Sequence, residues 1–493
     1  MEQKQEYAKF GRQVGYLFAT NIATVLQVFI QLPILTRAFG ASLYGTWTLI
    51  NVTGYLLFPF AVLGLSWAVL RFLAAEKDVG RIREDFFSVC SIVCIAGLII
   101  SILLFILSDF LAAYIFRDVN LSYYIKLASI LILFNAMFHL LRTFFRLQRR
   151  MGLYTIITIM YDASQVGLIV LFILLGYKLT GAIIALLING LLFNLITLFI
   201  ILKQIGFQLP RFSRLKSYLR WGVPLTPNEA ILWIVNSSDR YMVSYFMGVT
   251  AAGIYNAAYS IGNYASFALM PLSVVLYPNI VKTYEEGNLD MTRNYFKYSI
   301  KYLMMIAIPA AFGLSMLAKP LLQIITTPEF VPGSSIVPFV AFGAVFFCFY
   351  QTCIHVIYLS GKTELVTILL STGAGLNILL NIILIPRLGI MGAALATLVA
   401  FAVLGMLTLI VSGRYFKFDI DIPSIVKSIF ASAVMAVCIW LISPNSIATV
   451  VISIPAGAIV YLAVLLLIKT LSKGELAFFI NFLKNMGKIQ LVK

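Results

Sequence analysis

The stretch WIVNSSDRYMVSYFMG, Trp233–Gly248, lies in a long apolar segment yet carries Asp239 and Arg240 side by side near its middle. Its surroundings decide how it is read. Apolar runs recur along all 493 residues, and an α-helix needs about 20 such residues to cross the hydrocarbon core of a bilayer. The chain is 61% hydrophobic and 11% charged, against about 45–50% and about 25% in soluble globular domains. The fold class that follows is all-α, a polytopic membrane protein with no polar run long enough for a soluble domain. The first run, 14–36, is too long for a cleaved signal and reads as a retained span.

Spans are expected at 14–36, 43–70, 88–107, 125–146, 153–176, 181–203, 224–247, 253–277, 298–318, 335–359, 364–385, 390–411, 424–442 and 447–468, about 14 in all. An even number puts both termini on one side. The net charge of +17 is then a topology signal and not a nucleic-acid footprint. Of the Lys and Arg, 29 flank the spans on the side of the termini and 6 on the other, with Arg240 left inside a span. The positive-inside rule makes both termini cytoplasmic in a plasma membrane, with anionic lipid as the neighbour of the basic loops.

Two echoes divide the chain. AFGASLYGTW after the first span matches FMGVTAAGIY after the seventh, pairing Gly40 with Gly248 and Gly45 with Gly253. TGAIIALL before the sixth span matches MGAALATL before the twelfth, pairing Gly181 with Gly392. The offsets, 208 and 211, are nearly equal. Two six-helix lobes in parallel repeat are expected, over 1–205 and 223–412, with two extra helices over 413–470. Two amphipathic segments are expected in the headgroup plane. The linker 206–222 would turn Phe212, Leu215 and Leu219 to the bilayer. The tail 471–493 would turn Leu476, Phe479, Leu483 and Met486 to it.

Ionisable side chains inside spans are costly, so each is a functional hypothesis by default. Adjacent residues on a helix point about 100° apart, so Asp239 and Arg240 are not expected to face one another. Asn236 lies one turn before Arg240, and Glu229 about 16 Å along the same face. Glu229, Asn236 and Arg240 therefore draw one polar stripe, with Asp239 beside it. Lipid is excluded on cost. A structural ion pair to another helix and a water-filled cavity both remain open. In the fourth span His139, Arg142 and Arg146 share a face, extended by Asn135, and Arg146 is placed to snorkel. Asp162 and Gln165 lie one turn apart in the fifth. Asp162 is read either as a carrier of a coupling proton or as a structural partner of Arg142. His355 stands alone and reads as packed.

Enzyme signatures are absent: no phosphate-binding loop, nucleophile elbow or zinc-protease motif occurs. Cys90 and Cys94 share a helix face but have no companion ligand pair, so no metal site and no cofactor are expected.

LPRFSRLKSYLRWGVPLTPNEAILWIVNSSDRYMVSYFMGVTAAGIYNAAYSIG and NIATVLQVFIQLPILTRAFGASLYGTWTLI resemble the lipid-linked oligosaccharide flippases of the Wzx type. These belong to the superfamily that includes multidrug and toxin extruders and lipid II flippases. The resemblance covers essentially the whole chain and carries no substrate signature. It implies two lobes around a central cavity that opens alternately to either side. A polyprenyl-diphosphate oligosaccharide would cross there, its lipid tail in the bilayer, driven by H+ or Na+. By position and character, Arg142, Arg240, Asn236 and His139 become candidates for the substrate head group. Asp162, Glu229 and Asp239 become candidates for coupling or gating. Alternatives are a drug or organic-cation antiporter of the same superfamily, a lipid II flippase and, from another class, a membrane-embedded glycan polymerase or ligase.

Overall fold

The computed structural model describes residues 2–471 and 474–475. The side chains of residues 2–11, 14 and 270–276 stand outside that description. The expected amphipathic tail helix, with Leu476, Phe479, Leu483 and Met486, lies outside the described residues.

No strand occurs among the described residues. In lipid every backbone N–H and C=O must be paired within its own segment, so apolar runs of this length become helices. They are α1 (Glu2–Val62), α2 (Leu65–Leu73), α3 (Val79–Phe110), α4 (Leu121–Ala128), α5 (Leu131–Leu147), α6 (Met151–Leu174), α7 (Lys178–Ile205) and α8 (Leu215–Gly222). There follow α9 (Thr226–Met247), α10 (Val249–Asn263), α11 (Leu269–Glu285), α12 (Leu289–Ile325), α13 (Val337–Leu359), α14 (Thr363–Leu388), α15 (Ile390–Tyr415), α16 (Ile422–Ile442) and α17 (Ile447–Leu467). Leu98, Ile102 and Ile106 of α3, and Ile452, Leu462 and Leu466 of α17, are exposed. A large apolar surface of this kind is a lipid-facing surface.

Eleven helices among the described residues are long and apolar enough to cross a membrane. The difference from fourteen has local causes. The first of the eleven, Gly15–Val62, takes in the first expected span and most of the second, whose end falls in α2. In place of the seventh is α9, whose Glu229, Asp239, Arg240 and amide side chains lower its hydropathy. In place of the eighth are the 15 residues of α10, a 3-10 turn over Tyr264–Ala268 and then α11.

The two echoed motifs meet in space. α1 breaks at Gly40, with φ 67° and ψ 179°. The α9–α10 junction breaks at Gly248 with nearly the same backbone, φ 89° and ψ 167°. A positive φ is costly for any residue with a Cβ, which is why both positions are glycine. Beyond the breaks the two motifs cross. A Cβ on Gly45 would lie 2.1 Å from the Val249 carbonyl oxygen, and one on Gly253 would lie 2.2 Å from that of Ala41. The contact is reciprocal at an offset of 208, as a two-fold pseudosymmetric junction requires. The Glu329 carboxylate covers the first break, accepting from Ala41 N at 2.9 Å.

Around this junction α1 packs with α3, α5 and α6, and α5 with α7. α13, α14 and α15 pack together, with α9 against α14. The last two helices join through α12, where buried Lys301 holds Asp421 at 3.4 Å and Glu475 at 2.8 Å.

The linker is also held by specific contacts. α8 docks on α2 and α3, burying Tyr218 and Gly222. Tyr218 donates to Asp85 Oδ2 at 2.9 Å, and Arg214 pairs with Asp85 at 2.6 Å and Glu76 at 3.3 Å. Phe212 lies before the helix and is exposed. Specific polar partners on α3, invisible to helical periodicity, choose the buried face.

Candidate functional site

A cavity of about 580 Å³ lies among α1, α4, α5 and α6, with Asn256 and Ser260 of α10 closing one side. Arg142 and His139 line it from α5, Asp162 and Gln165 from α6. A second cavity of about 510 Å³ lies against α11 and the 3-10 turn before it, lined there by Ser266, Phe267 and Leu269. Thr24, Arg142 and Asp162 line both, so these three residues separate the two spaces.

Arg142 is half-buried. Its guanidinium stacks over Phe138 at 5.5 Å and Tyr154 at 5.8 Å, which orients the planar fork while leaving its N–H groups in the cavity. Among the described residues it forms no ion pair. Asp162 is 9% exposed and accepts from the Thr24 hydroxyl at 2.8 Å. Thr20 and Thr155 bond each other at 2.8 Å, which clamps α1 to α6 beside that pair. His139 lines the cavity, but its Nδ1 lies 3.0 Å from the Ser66 hydroxyl and its ring stands edge-on to Phe58. Asn135 is open to the cavity apart from a 3.4 Å approach of the Tyr161 hydroxyl.

The opening pair lies elsewhere. Arg240 Nη1 stands 2.7 Å from Asp239 Oδ1, and the side chains are 7% and 2% exposed. The expectation that the two do not face each other is corrected here. The flexible Arg240 stem folds back along its own helix to reach Asp239 and the Asn236 carbonyl. Tyr259 packs on the guanidinium at 3.7 Å. Tyr255 donates to Asp239 Oδ2 at 2.5 Å, and Thr397 approaches the same oxygen at 3.4 Å. Arg240, Asp239 and Asn236 line neither cavity, and the Asn236 side chain is spent on the Leu232 carbonyl. Glu229 is half-buried near the Trp67 indole and also lines neither. The stripe thus resolves into a buried ion pair and a separate carboxylate. His355 is packed, its ring 3.9 Å from that of Tyr277.

The ionisable residues brought together are Arg142, Asp162 and His139. The rest of the wall is neutral. Thr20, Thr24, Gln27 and Gln31 follow i, i+4, i+7, i+11 spacing on α1, one polar face of an otherwise apolar helix. That periodicity was readable. A search confined to ionisable groups does not find it. Asn51 and Asn256 carried no such signal.

Comparison with known proteins agrees with this architecture. The profile of the polysaccharide biosynthesis protein family matches residues 10–284, and that of the MatE family matches 224–383. The chain is 25% identical over 196 residues to a membrane protein of Methanocaldococcus jannaschii, covering 39% of each. It is 22% identical over 273 residues to the probable low-salt glycan biosynthesis flippase Agl15 of Haloferax volcanii, covering 52% of this chain and 56% of that one. The matches thus span well under two thirds of these relatives. Among solved structures, the lipid II flippase MurJ in an inward closed conformation superposes with a TM-score of 0.76 at 18% identity, covering 91% of this chain and 97% of that one. An inward-facing multidrug resistance MATE transporter superposes at 0.60 with 16% identity, covering 80% and 97%. These likenesses are of fold. The named relative Agl15 and these solved neighbours are themselves flippases and a transporter. By the match over more than half of its length, this multi-pass membrane protein belongs to the polysaccharide biosynthesis protein family.

Proposed function

We propose that the chain carries a polyprenyl-diphosphate-linked oligosaccharide from the cytoplasmic to the outer leaflet of the plasma membrane, for cell-surface polysaccharide assembly. The sugar and diphosphate pass through the cavity while the lipid tail stays in the bilayer. The lobes 1–205 and 223–412 rock about the glycine junction, and both termini face the cytoplasm. One observation carries this reading. Arg142 is an oriented guanidinium that forms no salt bridge among the described residues, in a cavity inside an apolar protein that also presents amide and hydroxyl side chains. Such a group favours a bidentate oxyanion, which is what a phosphate offers. The family match and the similarity to a probable glycan flippase support the same substrate class.

Coupling to H+ or Na+ belongs in this proposal to Asp162, the one carboxylate lining either cavity among the described residues. Glu229 and Asp239 are structural in it. A drug or organic-cation antiporter would need an acidic cavity, and Asp162 beside Arg142 does not make one. The test is reconstitution into liposomes with an enzyme-accessible polyprenyl-diphosphate oligosaccharide, with and without a pH or sodium gradient. Protein-dependent movement between leaflets, lost in Arg142→Ala, is expected. Gradient-driven uptake of a cationic dye without lipid movement would replace the reading with the antiporter.

A further inference from the structure

The cavity is poor in charge and rich in amides. Arg142 is the one cation lining either cavity among the described residues, and Asp162 the one carboxylate. Arg240, the other cation expected there, is held in its own ion pair. Against these two charges stand six side-chain amides, of which Asn51 donates to the Trp47 carbonyl and Asn256 donates to the Tyr44 hydroxyl and accepts from Arg240 Nε, leaving Gln27, Gln31, Asn135 and Gln165. Gln27 and Gln165 form no hydrogen bond within the protein among the described residues, and the Gln31 Nε2 is buried without a partner. Tyr55, 66% exposed, adds a flat aromatic face to the wall.

We propose that the glycan this cavity takes is electrically neutral, built from hexose or N-acetylhexosamine units without uronate or sulfate. The inference rests on the transport reading above. The carrier phosphate occupies Arg142, and among the described residues no second cation lines either cavity for an anionic sugar. A carboxylate on the glycan would leave water for a wall whose only other charge is Asp162, an arrangement that costs free energy through both desolvation and repulsion. A primary amide instead offers a donor and an acceptor on one planar group. That combination matches sugar hydroxyls and acetamido groups, which also donate and accept. Gln27 on α1 faces the cavity in this way, with Gln31 lining it one turn on, and Gln165 presents a second such amide from α6.

The experiment compares two substrates on one polyprenyl-diphosphate carrier in proteoliposomes. One bears a neutral oligosaccharide, the other the same oligosaccharide with a single sugar oxidised at C6 to the uronate. The neutral substrate is expected to cross at least about tenfold faster. Gln27→Lys and, separately, Asn135→Lys place a second cation on the wall and are expected to bring the ratio toward one, with thermal unfolding confirming that each variant folds. Equal or faster movement of the uronate substrate by the unaltered protein overturns the inference, as does a ratio that neither folded lysine variant changes. Movement of neither substrate by folded protein overturns the transport reading, and this inference with it.

Discussion

Gly45 and Gly253 meet backbone to backbone: a Cβ on Gly253 would lie 2.8 Å from the Gly45 nitrogen and 3.0 Å from its Cα. Replacing either by alanine must push α1 from α10 at the junction between the repeats. Alanine ordinarily stabilises a helix by about 1 kcal/mol over glycine, so a loss here isolates the packing cost. Gly253→Ala is expected to destabilise by about 1–3 kcal/mol, the usual cost of overpacking. Gly54→Ala, with nothing within 4 Å of its added methyl, is the control. Thermal unfolding in detergent compares them.

The Asp239–Arg240 pair makes a second prediction. Removing one member of a buried pair strands the other charge, at about 3–5 kcal/mol. Asp239→Ala and Arg240→Ala are each expected to lower the yield of monodisperse protein and its unfolding temperature. The double variant should lose less than the sum. A double-mutant cycle on thermal stability measures this. Arg240→Ala that folds like the parent but no longer transports would restore Arg240 to the substrate path.

Arg142 is expected to behave in the opposite way. It forms no ion pair among the described residues, so Arg142→Ala should leave the unfolding temperature nearly unchanged while transport falls by at least about tenfold, the loss of one charge-assisted bidentate contact. Arg142→Lys keeps the charge and loses the fork, and should recover only part of the rate.

Asp162→Asn keeps the shape of the Thr24 contact and removes the titrating charge. Movement between leaflets should persist at the gradient-free rate and no longer respond to an imposed gradient. Comparing initial rates with and without the gradient decides it. An unchanged gradient response would move coupling away from Asp162.

Asp421 carries a pH-dependent share of stability. It caps α16, accepting from Ser424 N at 3.1 Å and the Ser424 hydroxyl at 2.7 Å. Burial pushes its carboxyl up, but the Ser424 bonds and the Lys301 ammonium outweigh that and hold it below the usual range. A folded value below the unfolded one gives stability that is present above the unfolded value of about 3.9 and lost as pH falls through the folded one. Asp421→Ala should therefore cost about 1 kcal/mol at neutral pH. Its difference from the parent should shrink below about pH 4. Denaturation profiles of both proteins against pH provide the check.

The sequence by itself determined the helical membrane class, because apolar runs of spanning length have one way to pair their backbone groups in lipid. The two echoed motifs were legible as well, since the glycines of AFGASLYGTW and FMGVTAAGIY are needed wherever a backbone turns through positive φ or meets another backbone. The shared face of His139 and Arg142 was legible from three-residue spacing, and the polar face of Thr24, Gln27 and Gln31 could have been read in the same way. Only the tertiary structure decided which polar groups face a cavity. Periodicity fixes the direction of a Cα–Cβ bond and says nothing about what stands opposite it. Arg240 has the same chemistry as Arg142 and an equally central place in its helix. Tyr255, Tyr259 and Thr397 pack around Asp239 and Arg240 and close them off, whereas Phe138 and Tyr154 only flank Arg142 and leave its fork open. Those neighbours lie on the same helix, on the next one and, for Thr397, on the distant α15, and whether they close over a guanidinium is decided by how the helices pack.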